Sequence, residues 1–277
     1  MFKALPHKRN EQLRKALEKG MKKHGDKLTY YDTTEPNCSP IENIRFVIGI
    51  KNNKQCTDGI HRFVFDKGYD RKNIHSHSYS EWLHWSIRYM PDWPETRLLF
   101  NAPHDRIHTL RMKLLPLKKN GTVITVATSS QKYCDCHNLG NATEYATDII
   151  RQIKEKSNRK IWYRPKPSFS SAVPINGTHY NRTKGSKAMK TLFNKTRILI
   201  TDGSHIGARS VINGVPAITL DGGIGHSVTG HSLDNLEDPY WPDEKKRKNW
   251  FADIGYSHYS IPEIESGLAW EIMKQKL

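Results

Sequence analysis

Long apolar runs are missing from this sequence. Stretches such as 198–200 and 123–127 fall far short of the roughly 18 residues that a membrane span needs, so no segment is expected to cross a bilayer. Cysteine is scarce: four in 277 residues, without regular spacing, give no disulfide framework and agree with a reducing compartment. Residues 1–28 also lack the continuous apolar stretch of a secretory signal, and a cytoplasmic protein is expected. On that expectation the sequons at Asn120, Asn141 and Asn176 are chance occurrences. The third shortage is acidic charge. Only 28 Asp plus Glu face 44 Lys plus Arg, a net charge of +16 with an isoelectric point near 9.6. Neutral saccharides do not call for such an excess, and it is the electrostatic footprint of a nucleic-acid partner. What is present is a good supply of core-forming rings, 7 Trp, 12 Tyr and 8 Phe, which argues against disorder.

The N-terminal region reads as a basic amphipathic helix with Leu13, Ala16 and Leu17 on one side. Residues 44–50 (IRFVIGI) and 61–65 (HRFVF) read as short strands, the second ending at the turn-forming Asp66-Lys67-Gly68. Between Tyr79 and Tyr89 the mixed spacing of Trp82, Trp85, Ile87 and Tyr89 predicts a helix. The charged, turn-rich PLKKNG at 116–121 predicts a domain boundary. The expected organisation is a first domain over 1–118, a second over 119–242 and C-terminal helices over 243–277.

The second half alternates strands with helices. Strands are predicted at 122–128 (TVITVAT), 160–163, 197–201 (RILIT) and 216–220, and helices at 143–156, 184–194 and 207–213. Crossovers of this length place helices on both faces of a parallel sheet, a doubly wound α/β domain. Further on, 243–252 reads as a helix anchored by Trp250 and Phe251. Ser260-Ile261-Pro262-Glu263 is a capping box that predicts a helix to about Gln275.

Three strand ends of this half carry groups suited to phosphate. After 197–201 the small polar turn Asp202-Gly203-Ser204-His205 leads at once into a helix, where backbone N–H groups and the positive helix end favour an anion. A tight turn with an N-cap is the plainer reading of the same residues. Ser129 and Ser130 follow the first strand, and Arg164 with Lys166 follows the second. Arginine grips phosphate through paired bonds and lysine adds a point charge.

With these motifs the chain resembles the GT-B type of nucleotide-sugar glycosyltransferase, and more narrowly the glycosyltransferases that bacteriophages encode for modified DNA. The resemblance is carried by Asp202-Gly203-Ser204-His205 through Gly214-Val215-Pro216-Ala217, by Asp66-Lys67-Gly68-Tyr69 and by the segment from Trp250 to Trp270. It implies a compact α/β protein of two Rossmann-like domains facing a cleft, with a C-terminal helix packing back toward the N-terminal domain. It further implies a monomer in the host cytoplasm, with no obligatory metal. The implied reaction moves a hexose from a nucleotide-diphosphate donor, UDP-glucose first, to the hydroxyl of a 5-hydroxymethylpyrimidine in DNA. Donor contacts then fall to Ser129, Ser130, Arg164, Lys166, Gly203, Ser204, His205 and Arg209. Arg209 departs from the family, since many such helices carry a ribose-binding Glu there and arginine cannot accept hydroxyl protons. Either Arg209 meets phosphate or another group holds the ribose.

Glycosyl transfer needs a base for the acceptor hydroxyl, and Asp66 is the expected one. Its plainer reading is a turn residue of an Asp-x-Gly. Asp32 and Asp58 are alternatives. Lys8, Arg9, Arg14, Arg106 and Arg111 are the expected DNA contacts. Cys134-Asp135-Cys136-His137 lacks the second cluster that structural zinc requires, so no metal ligands are assigned. The run Asp221-Gly222-Gly223-Ile224-Gly225-His226 reads as a mobile glycine-rich loop. Two other functions stay open: glycosyl transfer to a cell-surface or capsular saccharide, and a DNA-binding module with an inactive donor site.

Overall fold

A computed structural model describes residues 8–28, 44–48, 61–68, 84–90, 102–110, 112–167, 169–183 and 185–277. In chain order its main elements are α1 (Lys8–Lys22), β1 (Ile44–Ile48), β2 (His61–Lys67), β3 (Trp85–Tyr89), β4 (Val123–Val126), α2 (Gln131–His137), α3 (Ala142–Lys156), β5 (Ile161–Tyr163) and β6 (His179–Tyr180). They continue with α4 (Ser186–Lys195), β7 (Thr196–Thr201), α5 (His205–Ile212), β8 (Ala217–Thr219), α6 (Glu244–Tyr256), β9 (His258–Tyr259), α7 (Ile261–Ser266) and α8 (Leu268–Lys274). Two compact units result: Met1–Arg111 with Ala252–Leu277, and Met112–Phe251. Among the described residues no helix is long and apolar enough to cross a membrane.

In the first unit the sheet order is β1-β2-β3-β9. Only β1 and β2 run parallel, and the other pairs are antiparallel, so the Rossmann-like pattern expected for this half is not what the described strands form. Expectation and structure also differ at β3. Its residues Trp85–Tyr89 are buried on both faces, and a strand without an exposed face shows no alternation from which it could be recognised. Leu13, Ala16 and Leu17 of α1 do form one apolar stripe, packing with Phe63, Phe65 and Ile87 of the sheet and with Ile264, Trp270 and Met273 of the C-terminal helices. The capping box forms as expected, with the Ser260 hydroxyl taking the Glu263 N–H and Glu263 Oε2 taking the Ser260 N–H at 2.7 Å. The helix it opens is shorter than expected. Gly267 adopts φ 94°, a left-handed conformation that ends α7 and lets α8 start in a new direction.

In the second unit all five strands are parallel, in the order β6-β5-β4-β7-β8. Counted along the chain this is 3-2-1-4-5, the doubly wound order, in which the crossovers leave the central pair β4 and β7 in opposite directions. Each of the four residues of β4 is buried, as a strand covered on both faces must be. Ile149, Ile150 and Ile153 of α3 pack on Ile124, Val126, Ile161 and Tyr163. Arg247 of α6 is fully buried, donating to Leu115 O at 2.7 Å and Val211 O at 2.8 Å, so it fixes the segment that leads into β4 against the end of α5.

Gly20 marks the closest approach of α1 to α7: a Cβ there would lie 2.1 Å from Ile264 O. In an open helix Gly→Ala stabilises by about 1 kcal/mol. Here the clash with backbone outweighs that gain, and Gly20→Ala is expected to lower stability by about 1–3 kcal/mol, read as a fall in the urea midpoint. Burial pushes the Asp253 carboxyl up to about 6 from its ordinary 3.8, although it accepts the Ala102 N–H at 2.7 Å. A raised folded value means that stability is greatest below the ordinary value and is lost as pH rises through about 6. Asp253→Asn keeps an acceptor for Ala102 and is expected to flatten the stability profile between pH 3.8 and about 6.

Candidate functional site

Parallel strands carry all their carboxyl ends to one edge of the sheet, and in the doubly wound order the crevice between the two central strands is where ligands bind. Here that crevice lies between β4, followed by Thr128-Ser129-Ser130, and β7, followed by Asp202-Gly203-Ser204. Thr201 Oγ1 donates to Ala127 O at 2.6 Å. Beside it the Asp202 carboxylate accepts the Ser129 N–H at 2.9 Å and the Ser129 hydroxyl at 2.8 Å. Asp202 is completely buried, and burial pushes its carboxyl up from the ordinary range while the Ser129 donors pull it back. In the sequence alone Asp202 reads as part of a polar turn. Its position, directly after a buried strand and before a helix, was the available signal.

Four of the expected donor residues thus stand at the crevice, though not all with free donors. Ser129 is committed to Asp202, and Ser130 is the N-cap of α2. Gly203 gives its N–H to the Tyr133 hydroxyl at 3.1 Å, and a Cβ at Gly203 would come within 2.6 Å of that oxygen. Ser204 is the N-cap of α5, with no bond from its own side chain to the helix. His205 opens that helix, which starts two residues earlier than the periodicity predicts, and Arg209 lies one turn further in.

Two residues that sequence reasoning did not weigh for the site complete this side. Tyr133 donates to Asp221 Oδ2 at 3.1 Å, and His137 Nδ1 lies 2.5 Å from the same oxygen. The rings of Tyr133 and His137 stack with centroids 3.9 Å apart. The CDCH motif is therefore part of α2, whose i and i+4 positions aim Tyr133 and His137 together at the end of β8. Burial pushes the Cys134 thiol up to about 11, which leaves it protonated and inert at neutral pH. Asp221-Gly222-Gly223 is held close: Gly223 has φ 95°, and a Cβ there would meet Gly203 O at 2.7 Å.

On the other side of β4 the edge is cationic. Arg164 follows β5 and is 6% exposed, donating from Nη1 to Asn181 Oδ1 at 3.0 Å and to Thr183 O at 2.8 Å. Both partners are neutral, and burial lowers its affinity for its proton. Among the described residues no carboxylate pairs with it. Lys166 is exposed two residues on, and Arg182 follows β6. From β6 to β8 the carboxyl edge therefore carries cations at one end (Arg164, Lys166, Arg182) and the partly exposed carboxylate of Asp221 at the other.

In the first unit Asp66 lies within β2, which continues to Lys67, so it is not in a turn. Its Oδ2 is 3.1 Å from Nη2 of Arg88, a side chain only 3% exposed, and it supplies that buried charge with a counter-ion. Arg106, expected to reach phosphate, is engaged inside its unit. It donates to Glu263 Oε1 at 2.8 Å and to His258 O at 3.1 Å, with its guanidinium 4.8 Å from the Tyr259 ring centre. These contacts answer for it structurally. Arg14 is half-buried on α1. Lys8 and Arg9 begin the same helix, and Arg111, Asp32 and Asp58 lie outside the described residues. Among the described residues no group of three or more His, Cys, Asp and Glu is arranged to hold a metal.

The Tyr133 hydroxyl joins β7 to β8 by accepting from Gly203 and donating to Asp221. Tyr133→Phe leaves the Gly203 N–H without its partner and takes one of two contacts from Asp221 Oδ2, and it is expected to cost about 1–3 kcal/mol in denaturant unfolding.

No known protein-family model and no curated protein matches the sequence. Solved structures do match in fold. The beta Kdo 2,7 transferase of Thermosulfurimonas dismutans KpsC aligns over 100% of this chain and 99% of its own, with TM-score 0.53 and 12% identity. The beta Kdo 2,4 transferase of the same KpsC aligns over 98% and 97%, with TM-score 0.51 and 10% identity. At such identities the likeness is one of fold: this chain shares a mixed α/β architecture with two solved transferase structures over nearly its whole length.

Proposed function

We propose that this chain is a glycosyltransferase of GT-B type that takes its sugar from a nucleotide-activated donor. The observation that carries the reading is Arg164, a buried guanidinium at the carboxyl end of a doubly wound sheet whose partners are both neutral. A buried charge without a counter-ion is costly by several kcal/mol, and an anionic ligand removes that cost. The fold likeness to two Kdo transferases supports the same reading. The polarity of the carboxyl edge suggests how the donor lies. Its phosphate goes to Arg164 and Lys166, and its sugar hydroxyls go toward Asp221, whose carboxylate is partly exposed.

In the proposed step the acceptor hydroxyl gives its proton to a carboxylate; Asp66, the base expected from the sequence, is committed to Arg88. The freed oxygen bonds to the anomeric carbon. The bond from that carbon to the donor phosphate oxygen breaks, and its electron pair leaves on the phosphate, where Arg164 and Lys166 stabilise it. Ser129, Ser130, Gly203 and Ser204 shape the crevice floor. UDP-glucose is the first donor to test. The acceptor we favour is a saccharide hydroxyl, by analogy with the two Kdo transferases. The second reading is a 5-hydroxymethylpyrimidine in DNA, in the manner of phage DNA-modifying enzymes, and the net charge of +16 favours it.

Labelled nucleotide sugars incubated with an acidic oligosaccharide or with hydroxymethyl-containing DNA separate these outcomes. Transfer to the oligosaccharide alone supports the first acceptor, and transfer to DNA alone supports the second. Neither transfer nor hydrolysis of any donor would reject the enzyme. Arg164→Gln retains a donor for Asn181 and removes the charge. It is expected to weaken UDP binding by about 1.5–3 kcal/mol in calorimetry, and an unchanged affinity would remove Arg164 from the donor site.

A further inference from the structure

The charge excess is unevenly placed. Between Met112 and Phe251 there are 22 Lys plus Arg against 11 Asp plus Glu, so this unit holds 11 of the 16 excess charges. Part of it gathers at the edge opposite the candidate donor crevice. In a parallel sheet the strand starts share one edge, and here each of three adjacent strands, β5, β4 and β7, is preceded or opened by cations. Lys160 stands immediately before β5, Lys118 and Lys119 lie ahead of β4, Lys195 precedes β7 and Arg197 is its second residue. Neighbouring strands lie about 4.8 Å apart, so these side chains form a short row.

Two acids of the same edge are already paired, Asp234 with Lys156 and Glu237 with Arg159. Among the described residues none of the five cations of the row is in a salt bridge. Arg197 is fixed by Lys119 O at 2.9 Å and Glu237 O at 3.0 Å, both neutral. Its guanidinium lies 5.7 Å, and the Lys119 ammonium 5.8 Å, from the ring centre of Trp241, which is half-buried. Next to it Tyr240 is 42% exposed, a large apolar surface for a side chain outside any core.

We infer that this amino-terminal edge of the second unit, Lys118, Lys119, Lys160, Lys195 and Arg197 around Trp241, is a binding surface for single-stranded nucleic acid. Lysines on flexible stems meet a chain of phosphates as point charges, and a half-exposed ring offers a stacking face that any base can use. The row lies a strand length from the candidate donor crevice, so it holds a polymer without competing for a nucleotide sugar. The inference does not depend on glycosyl transfer.

The test is fluorescence anisotropy of a labelled oligothymidylate with the full chain across a salt series. If four phosphates are met, log K is expected to fall by about 3 per log unit of salt, at about 0.7 for each phosphate. Lys119→Gln with Lys160→Gln, both exposed in the folded unit, should reduce the salt slope by about 1.4 and weaken binding at least tenfold. Trp241→Leu should weaken oligothymidylate about tenfold and leave binding of polygalacturonate, which has charge but no bases, unchanged. Loss of affinity in the lysine variant with no effect of Trp241→Leu, or equal competition by polygalacturonate, would make the surface a site for acidic polysaccharide and overturn the proposal. Undiminished binding in the lysine variant would overturn it as well.

Discussion

The second unit depends on one buried contact, the acceptance of the Ser129 N–H and hydroxyl by Asp202. A doubly wound sheet opens at its centre because the chain leaves β4 on one side and returns to β7 from the other. Something must hold the two strand ends in register where the ladder stops. Here a carboxylate bonded twice to a single serine does so, with Thr201 on Ala127 O below it. Because Asp202 is inaccessible to water, every donor it accepts is needed, and Ser129 is thereby removed from the groups that could meet a ligand. The same junction orients α2 and brings Tyr133 and His137 to Asp221.

Electrostatics then divides the sheet. Its carboxyl edge changes sign along the strand order, from Arg164 to Asp221, as suits a ligand with one anionic end and one hydroxyl-rich end. Its amino-terminal edge is positive along a row of three strands. Parallel strands give the sheet two chemically distinct edges, separated by the strand length.

In the first unit the organising contacts are also charged, but they serve packing. Arg88 with Asp66 and Arg106 with Glu263 are partly or wholly shielded from water, where loss of one partner is far more damaging than the pair is stabilising. A guanidinium that reads as a phosphate contact in the sequence can therefore be a structural tie, and Arg106 is one. Capping and crossing geometry complete the set: Glu263 serves Ser260 and Arg106 together, and Gly20 admits the backbone of α7 at a distance no other residue permits.

Local pattern by itself determined much of this protein. The apolar stripe of α1, the capping box at Ser260, the short β-branched strands and their alternation with helices between 122 and 220 all follow from periodicity and end signals that act over a few residues. The basic charge and the gathering of Ser129, Arg164 and Gly203 on strand ends were legible for the same reason, since a parallel sheet sends every strand end to one edge. Tertiary structure alone decided the rest. Trp85–Tyr89 is a strand because it is covered on both faces, which erases the alternation that would have revealed it. Asp202 and Arg88 are buried, so their partners became obligatory, and those partners lie 73 and 22 residues away in the chain. Tyr133, His137 and Asp221 meet only because β4 and β8 end on the same edge, and no spacing within the sequence encodes that distance.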